Sequence, residues 1–119
     1  MSMTLSTEVR SIAHQRIRDI KEEMPGAEIL EEWMEDRVVL SITKENRTVE
    51  CDFVESTSSC HQSRRMNEYY DVLGKGFMLR IIVPQGDVSG EIVRMKRVKD
   101  TSRFAILGYE NNAITPART

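Results

Sequence analysis

Apolar residues first recur at three- and four-residue steps: Val9, Ile12, Ala13, Ile17, Ile20 and Met24 in LSTEVRSIAHQRIRDIKEEMPG. That period places them on one stripe of an amphipathic helix. Ser6 or Thr7 suits its cap, Glu8 complements the positive end of its dipole, and Pro25-Gly26 stops it. AEILEEWMED (residues 27–36) fits a short helix or a strand, and a strand is expected because it runs straight into a β pattern. In RVVLSITKENRTVECDFVES, two β-branched runs flank Glu45-Asn46, a two-residue hairpin turn in which Asn tolerates positive φ. Such a turn sets Ile42 opposite Val49, Leu40 opposite Cys51 and Val38 opposite Phe53, one apolar face. Glu50 and Asp52 then share the other face, towards solvent, with Asp36 opposite Glu55 at the hairpin base, away from them.

Further on, Ser59 followed by Gln62 reads as a capping box. Met66, Tyr69, Tyr70 and Leu73 give a helical stripe ended by Gly74. FMLRIIVP hardly alternates, as in a strand buried on both faces. Val88, Ile92, Met95 and Val98 mark another helix, capped by Asp87 or Ser89, and RFAILGY a last strand. The order is helix, three-stranded antiparallel meander, helix, strand, helix, strand. It predicts an α/β (mixed α+β) domain over residues 1–109, its mixed sheet flanked by helices, with a right-handed crossover. Residues 110–119 lack periodicity and are expected to form a loose tail.

Composition narrows the class. At 119 residues, with 39% hydrophobic and 30% charged positions, the chain is one domain's worth with a thin core. No apolar run approaches the ~20 residues a bilayer requires. The segment MSMTLSTEVR lacks a secretory pattern, and two cysteines suit a reducing compartment, so a cytoplasmic protein without a membrane partner is expected. The net charge of −2 divides unevenly, with 7 Lys/Arg and 13 Asp/Glu in residues 1–60 against 10 and 6 thereafter. A basic second half can face phosphates. Its densest run, RMKRVKDTSR, carries Arg94, Lys96, Arg97, Lys99 and Arg103, with no interleaved aromatics for base stacking.

Among soft metal ligands, Cys51, Cys60, His61 and His14 lack the paired spacing of structural zinc. Cys51 is expected in the apolar face, and Cys60 and His61, adjacent on a helix, diverge by ~100°. The same divergence opposes a thiol–imidazole pair. Gly86 and Gly90 precede or open a helix but match no phosphate-loop pattern. Glu50 and Asp52, two carboxylates on one face, are the remaining candidates: such a pair can hold Mg²⁺ and activate water. The plainer expectation is the solvated side of a hairpin.

The element order, with RVVLSITKENRTVECDFVES followed by SSCHQSRRMNEYYDVLGKGFMLRIIVP, resembles the restriction-endonuclease-like (PD-(D/E)XK) superfamily in architecture over residues 7–109. The resemblance implies an Asp near the second strand, (D/E)-x-K on the third, and often a Glu on the first helix. Asp36 matches the first and Glu50-Cys51-Asp52 the second, while Glu8, Asp19, Glu22 and Glu23 are available for the last. Asp52 stands where the family has lysine, and no Pro precedes Asp36. Gln62, Arg64 and Arg65 offer basic or polar groups on the following helix. The resemblance therefore implies a degenerate member that binds nucleic acid or a protein partner, with no cofactor. The alternatives are a Mg²⁺-dependent nuclease using Glu50, Asp52 and Asp36 or Glu55, and an oligomerising module such as a homodimer joined through Trp33, Met34, Tyr69 and Tyr70.

Overall fold

A computed structural model describes residues 7–115. The helix α1 (Thr7–Glu23) buries the expected stripe, Val9, Ile12, Ala13, Ile17 and Ile20, and with it Arg16; Ser6 lies outside the described residues. Six strands follow: β1 (Glu28–Trp33), β2 (Arg37–Lys44), β3 (Arg47–Glu55), β4 (Met78–Pro84), β5 (Phe104–Glu110) and β6 (Ala113–Thr115). They form one sheet in sequence order, parallel between β3, β4 and β5 and antiparallel elsewhere. Helices α2 (Thr57–Cys60) and α3 (Arg65–Gly74) connect β3 to β4, and α4 (Val88–Arg94) lies between β4 and β5. The fold is thus the expected α/β arrangement, with helices flanking a mixed sheet.

Each sheet face has its own core. Towards α1, the Val9–Ile20 stripe meets Val38, Leu40, Ile42, Val54, Ile82 and Tyr109. On the opposite face, Val39, Phe53, Leu79, Ile81 and Val83 meet Tyr69, Val72 and Leu73 of α3, and Met95 after α4. The sheet is therefore apolar on both sides, as its central strand β4 foreshadows.

Three local expectations change. Residues 110–119 are not wholly a loose tail, because Asn111 and Asn112, both at positive φ, turn the chain so that β6 pairs with β5. The capping box lies one turn earlier than expected, between Ser56 and Ser59, and opens the single-turn α2. The stripe of α4 turns inward Glu91 rather than Ile92, which is half exposed.

The largest change is the β2–β3 register. Glu45 and Asn46 do form the turn, with φ of 54° and 64°, the mirror-image geometry favoured in tight hairpins. Lys44 pairs with Arg47 and Thr43 with Thr48, but Ile42 then pairs with Glu50, so Val49 is the extra residue of a β-bulge. Beyond it Leu40 pairs with Asp52 and Val38 with Val54. The expected pairs Leu40–Cys51 and Val38–Phe53 are incorrect, and Glu50 and Asp52 face α1 instead of solvent. A one-residue shift exchanges the faces of a strand. With a helix over each face, alternation along β3 could not say which side would be apolar.

Candidate functional site

The bulge sends two carboxylates into the core beneath α1, at the level where the helix supplies Arg16. Arg16 Nε donates to Asp52 Oδ2 (2.6 Å) and Nη2 to Glu50 Oε2 (3.2 Å). From β4, Arg80 Nε donates to Glu50 Oε2 (3.2 Å) and lies 3.9 Å from Asp52 Oδ1. Arg16, Glu50 and Asp52 are all buried, Asp52 completely. Burial by itself would raise the Glu50 pKa, but its hydrogen bond to Asp52 and the charges of Arg80 and Arg16 carry it below the ordinary range. Asp52 moves the other way. Burial, then the hydrogen bond and negative charge of Glu50, hold it well above the ordinary range against the pull of Arg16.

These residues do not fit the divalent cation that the family resemblance implies. Mg²⁺ needs a near-octahedral shell of oxygens, including several waters. Here guanidinium groups take one oxygen of each carboxylate, Asp52 has no access to solvent for the waters such an ion keeps, and two fixed positive charges oppose a divalent cation. Asp36 does not join them. It sits beside Arg37, whose partner is Glu55, five pairings along the ladder from Glu50, roughly 17 Å away at the rise of a strand. Asp36 lines a cleft of about 670 Å³ with Met34, Arg64 and Arg65. Of the first-helix acids, Glu23 lies 3.4 Å from Arg16, and Glu8 accepts from the Asn112 amide (2.9 Å); Asp19 and Glu22 are exposed.

On the other face lies a second ionic cluster that sequence reasoning missed. Glu55, fully buried, accepts from Ser59 Oγ (2.6 Å) and Tyr69 Oη (2.8 Å), and Arg37 Nε lies 3.1 Å from it. Glu68 bridges Arg37 (2.8 Å) and Arg65 (3.3 Å). Tyr109 Oη donates to the Glu55 carbonyl (2.8 Å), joining the sheet end to the loop. The sequence signal was a charged residue at the end of a strand, which is a common sight.

The basic residues also divide. Arg65 is buried and donates to the Ser59 carbonyl, Arg94 donates to Glu91 and the Cys60 carbonyl, and Arg103 to the Leu73 carbonyl. Arg64, Lys96, Arg97 and Lys99 remain exposed. Lys96 and Arg97 border a cleft of about 560 Å³ between α3 and α4, with Met66, Tyr70 and Val93. Val93 is 61% exposed and Tyr70 36%, so apolar and basic groups share this surface. Of the other aromatic and apolar interface candidates, Met34 is exposed, Tyr69 is buried, and Trp33 is half-buried against His14 and beneath Arg10.

Cys51 is a buried residue of the α3-side core, as expected. Cys60 and His61, expected to diverge, instead both lie close to Asp87, which approaches them from the segment after β4. Burial, then the charges of Asp87 and Glu91, push the Cys60 thiol up to about 12, so it is a poor nucleophile by itself. No family profile, curated protein or solved structure matches this chain.

Proposed function

We propose that this chain is a non-catalytic binding domain resembling the restriction-endonuclease-like fold, in which Glu50 and Asp52 hold the helix α1 to the sheet and perform no chemistry. The observation that carries this reading is the pairing of both carboxylates with Arg16 and Arg80 inside the core. Carboxylates neutralised in this way cannot also serve as ligands of a catalytic metal. Incubation with single- and double-stranded DNA and RNA in Mg²⁺ or Mn²⁺ is expected to leave every substrate intact. Metal-dependent cleavage that Glu50→Ala abolishes would overturn the reading.

The α3–α4 surface supplies the binding function, and its occupant is an acidic, amphipathic protein segment. Exposed Tyr70 and Val93 offer apolar anchors, and Lys96 and Arg97 offer opposite charge at the rim, the usual division of a protein interface. Nucleic acid is favoured less. Three of the seven candidate basic residues are spent on internal carbonyls and carboxylates, and exposed aliphatic side chains gain nothing from phosphates. The two free cysteines support a reducing, cytoplasmic setting.

A helical peptide with Leu at i, i+3 and i+4 and Glu elsewhere is expected to shift the amide resonances around Tyr70, Val93 and Lys96, and Val93→Asp to weaken it. A DNA duplex that binds more tightly, with a salt slope of about −0.9 per neutralised phosphate, would reassign the face to nucleic acid. Silence towards both probes would remove the binding proposal.

A further inference from the structure

The parallel strands β3 and β4 end side by side, and the segments leaving their carboxyl ends are α2 and the Pro84–Asp87 loop. The Ser56–Ser59 capping box fixes α2, turning Cys60 fully inward, where its Sγ donates to the Thr57 carbonyl (3.4 Å). Asp87 ties the two segments together, because its carboxylate accepts from Thr57 Oγ1 (2.8 Å) and His61 Nε2 (2.9 Å). Asp87 occupies the N-cap position of α4, yet its side chain makes no capping hydrogen bond.

We infer that Cys60, His61 and Asp87 form a binding site for one zinc-class divalent ion. One donor atom from each residue, a sulfur, an imidazole nitrogen and a carboxylate oxygen, lies within 4.8 Å of the others. Tetrahedral zinc, with bonds of about 2.0–2.3 Å, separates its ligands by roughly 3.3–3.8 Å, so small side-chain rotations close the set. A mixed S, N, O shell selects Zn²⁺ and its borderline neighbours over Mg²⁺ or Ca²⁺.

Glu91 gives an independent indication. One turn into α4, it is 1% exposed; Oε1 takes the Arg94 guanidinium (3.0 Å), while Oε2 has no partner among the described residues. Arg94 donates both to Glu91 and to the Cys60 carbonyl, so Glu91 is tied to the segment that carries Cys60. Three protein ligands would leave a fourth position for water, and the half-exposed His61 ring keeps the cluster within reach of solvent. Thr57 on Asp87 is the kind of outer partner that holds such a ligand in place. On binding, the Cys60 thiol yields its proton to solvent as the metal–sulfur bond forms. This inference is independent of the binding role assigned to the α3–α4 face.

Cobalt titration of the reduced, chelator-treated full chain tests it. One Co²⁺ per chain is expected, with a thiolate-to-cobalt charge-transfer band and the intense visible bands of a tetrahedral ion, all displaced by Zn²⁺. His61→Ala, at a half-exposed position that leaves the core intact, should weaken binding at least about tenfold, and Asp87→Asn likewise. Cys60→Ser should remove the charge-transfer band, whereas Cys51→Ser should keep it. The absence of a thiolate band, a band lost with Cys51 rather than Cys60, or affinity unchanged by His61→Ala would each overturn the site.

Discussion

Replacing Arg16 by Met isolates the ionic cluster under α1. Arg and Met have similar helix propensities, and Met keeps most of the stem, so the change removes charge and donors with little effect on α1 itself. Two buried charge-assisted hydrogen bonds disappear, at 2.6 Å to Asp52 and 3.2 Å to Glu50, together with the longer contact to Glu23 at 3.4 Å. Glu50 retains Arg80, but the buried Asp52 Oδ2 is left without its donor. Charged hydrogen bonds contribute about 1.5–3 kcal/mol each, and breaking a buried pair from one side costs about 3–5 kcal/mol. That is a large share of the ~5–15 kcal/mol that holds a domain folded. With a urea slope of about 1–3 kcal/mol/M, the unfolding midpoint should fall by roughly 2 M. Arg18→Met, at an exposed position on the same helix, is expected to stay within about 0.5 kcal/mol. Arg16→Met in an Asp52→Asn background should cost at least about 1 kcal/mol less than alone, because the two residues touch. A loss below about 1 kcal/mol for Arg16→Met, or one equal to that of Arg18→Met, would refute the cluster's role.

Three further outcomes are expected. Asp52, its pKa raised by burial and by Glu50, contributes stability that is full below its ordinary value of about 3.9 and is lost as pH climbs to its folded-state value. Urea unfolding should therefore show Asp52→Asn gaining on the wild type as pH rises from acid to neutral; a deficit that grows with pH would mean that Arg16 keeps Asp52 ionised. Glu45→Asn with Asn46→Gly puts residues suited to left-handed backbone into the β2–β3 turn and should raise stability by roughly 0.5–1 kcal/mol by thermal melting. Tyr69→Phe deprives buried Glu55 of a donor and should cost about 1–3 kcal/mol in urea, whereas Tyr70→Phe, at an exposed ring, should be neutral.

Periodicity alone carried the α1 stripe, the element order, the double-sided burial of β4 and the Glu45-Asn46 turn, because each is a local or one-dimensional property of the chain. It failed at Val49. A bulge changes which residues of β3 meet β2, and with apolar layers on both faces either register buries comparable side chains. What settles the register is that Arg16, 34 residues before Glu50, stands opposite the carboxylates once α1 docks. The same limit hid Glu55, whose partners come from β2, α2 and α3, and divided the basic residues between internal hydrogen bonds and surface. It also hid the meeting of Cys60 and His61 with Asp87, 26 residues beyond His61, which depends on two parallel strands ending together. Spacing along the chain records which residues lie on one side of an element. The pairing of charges and ligands between elements is decided by packing, where a buried charge must find its counterion.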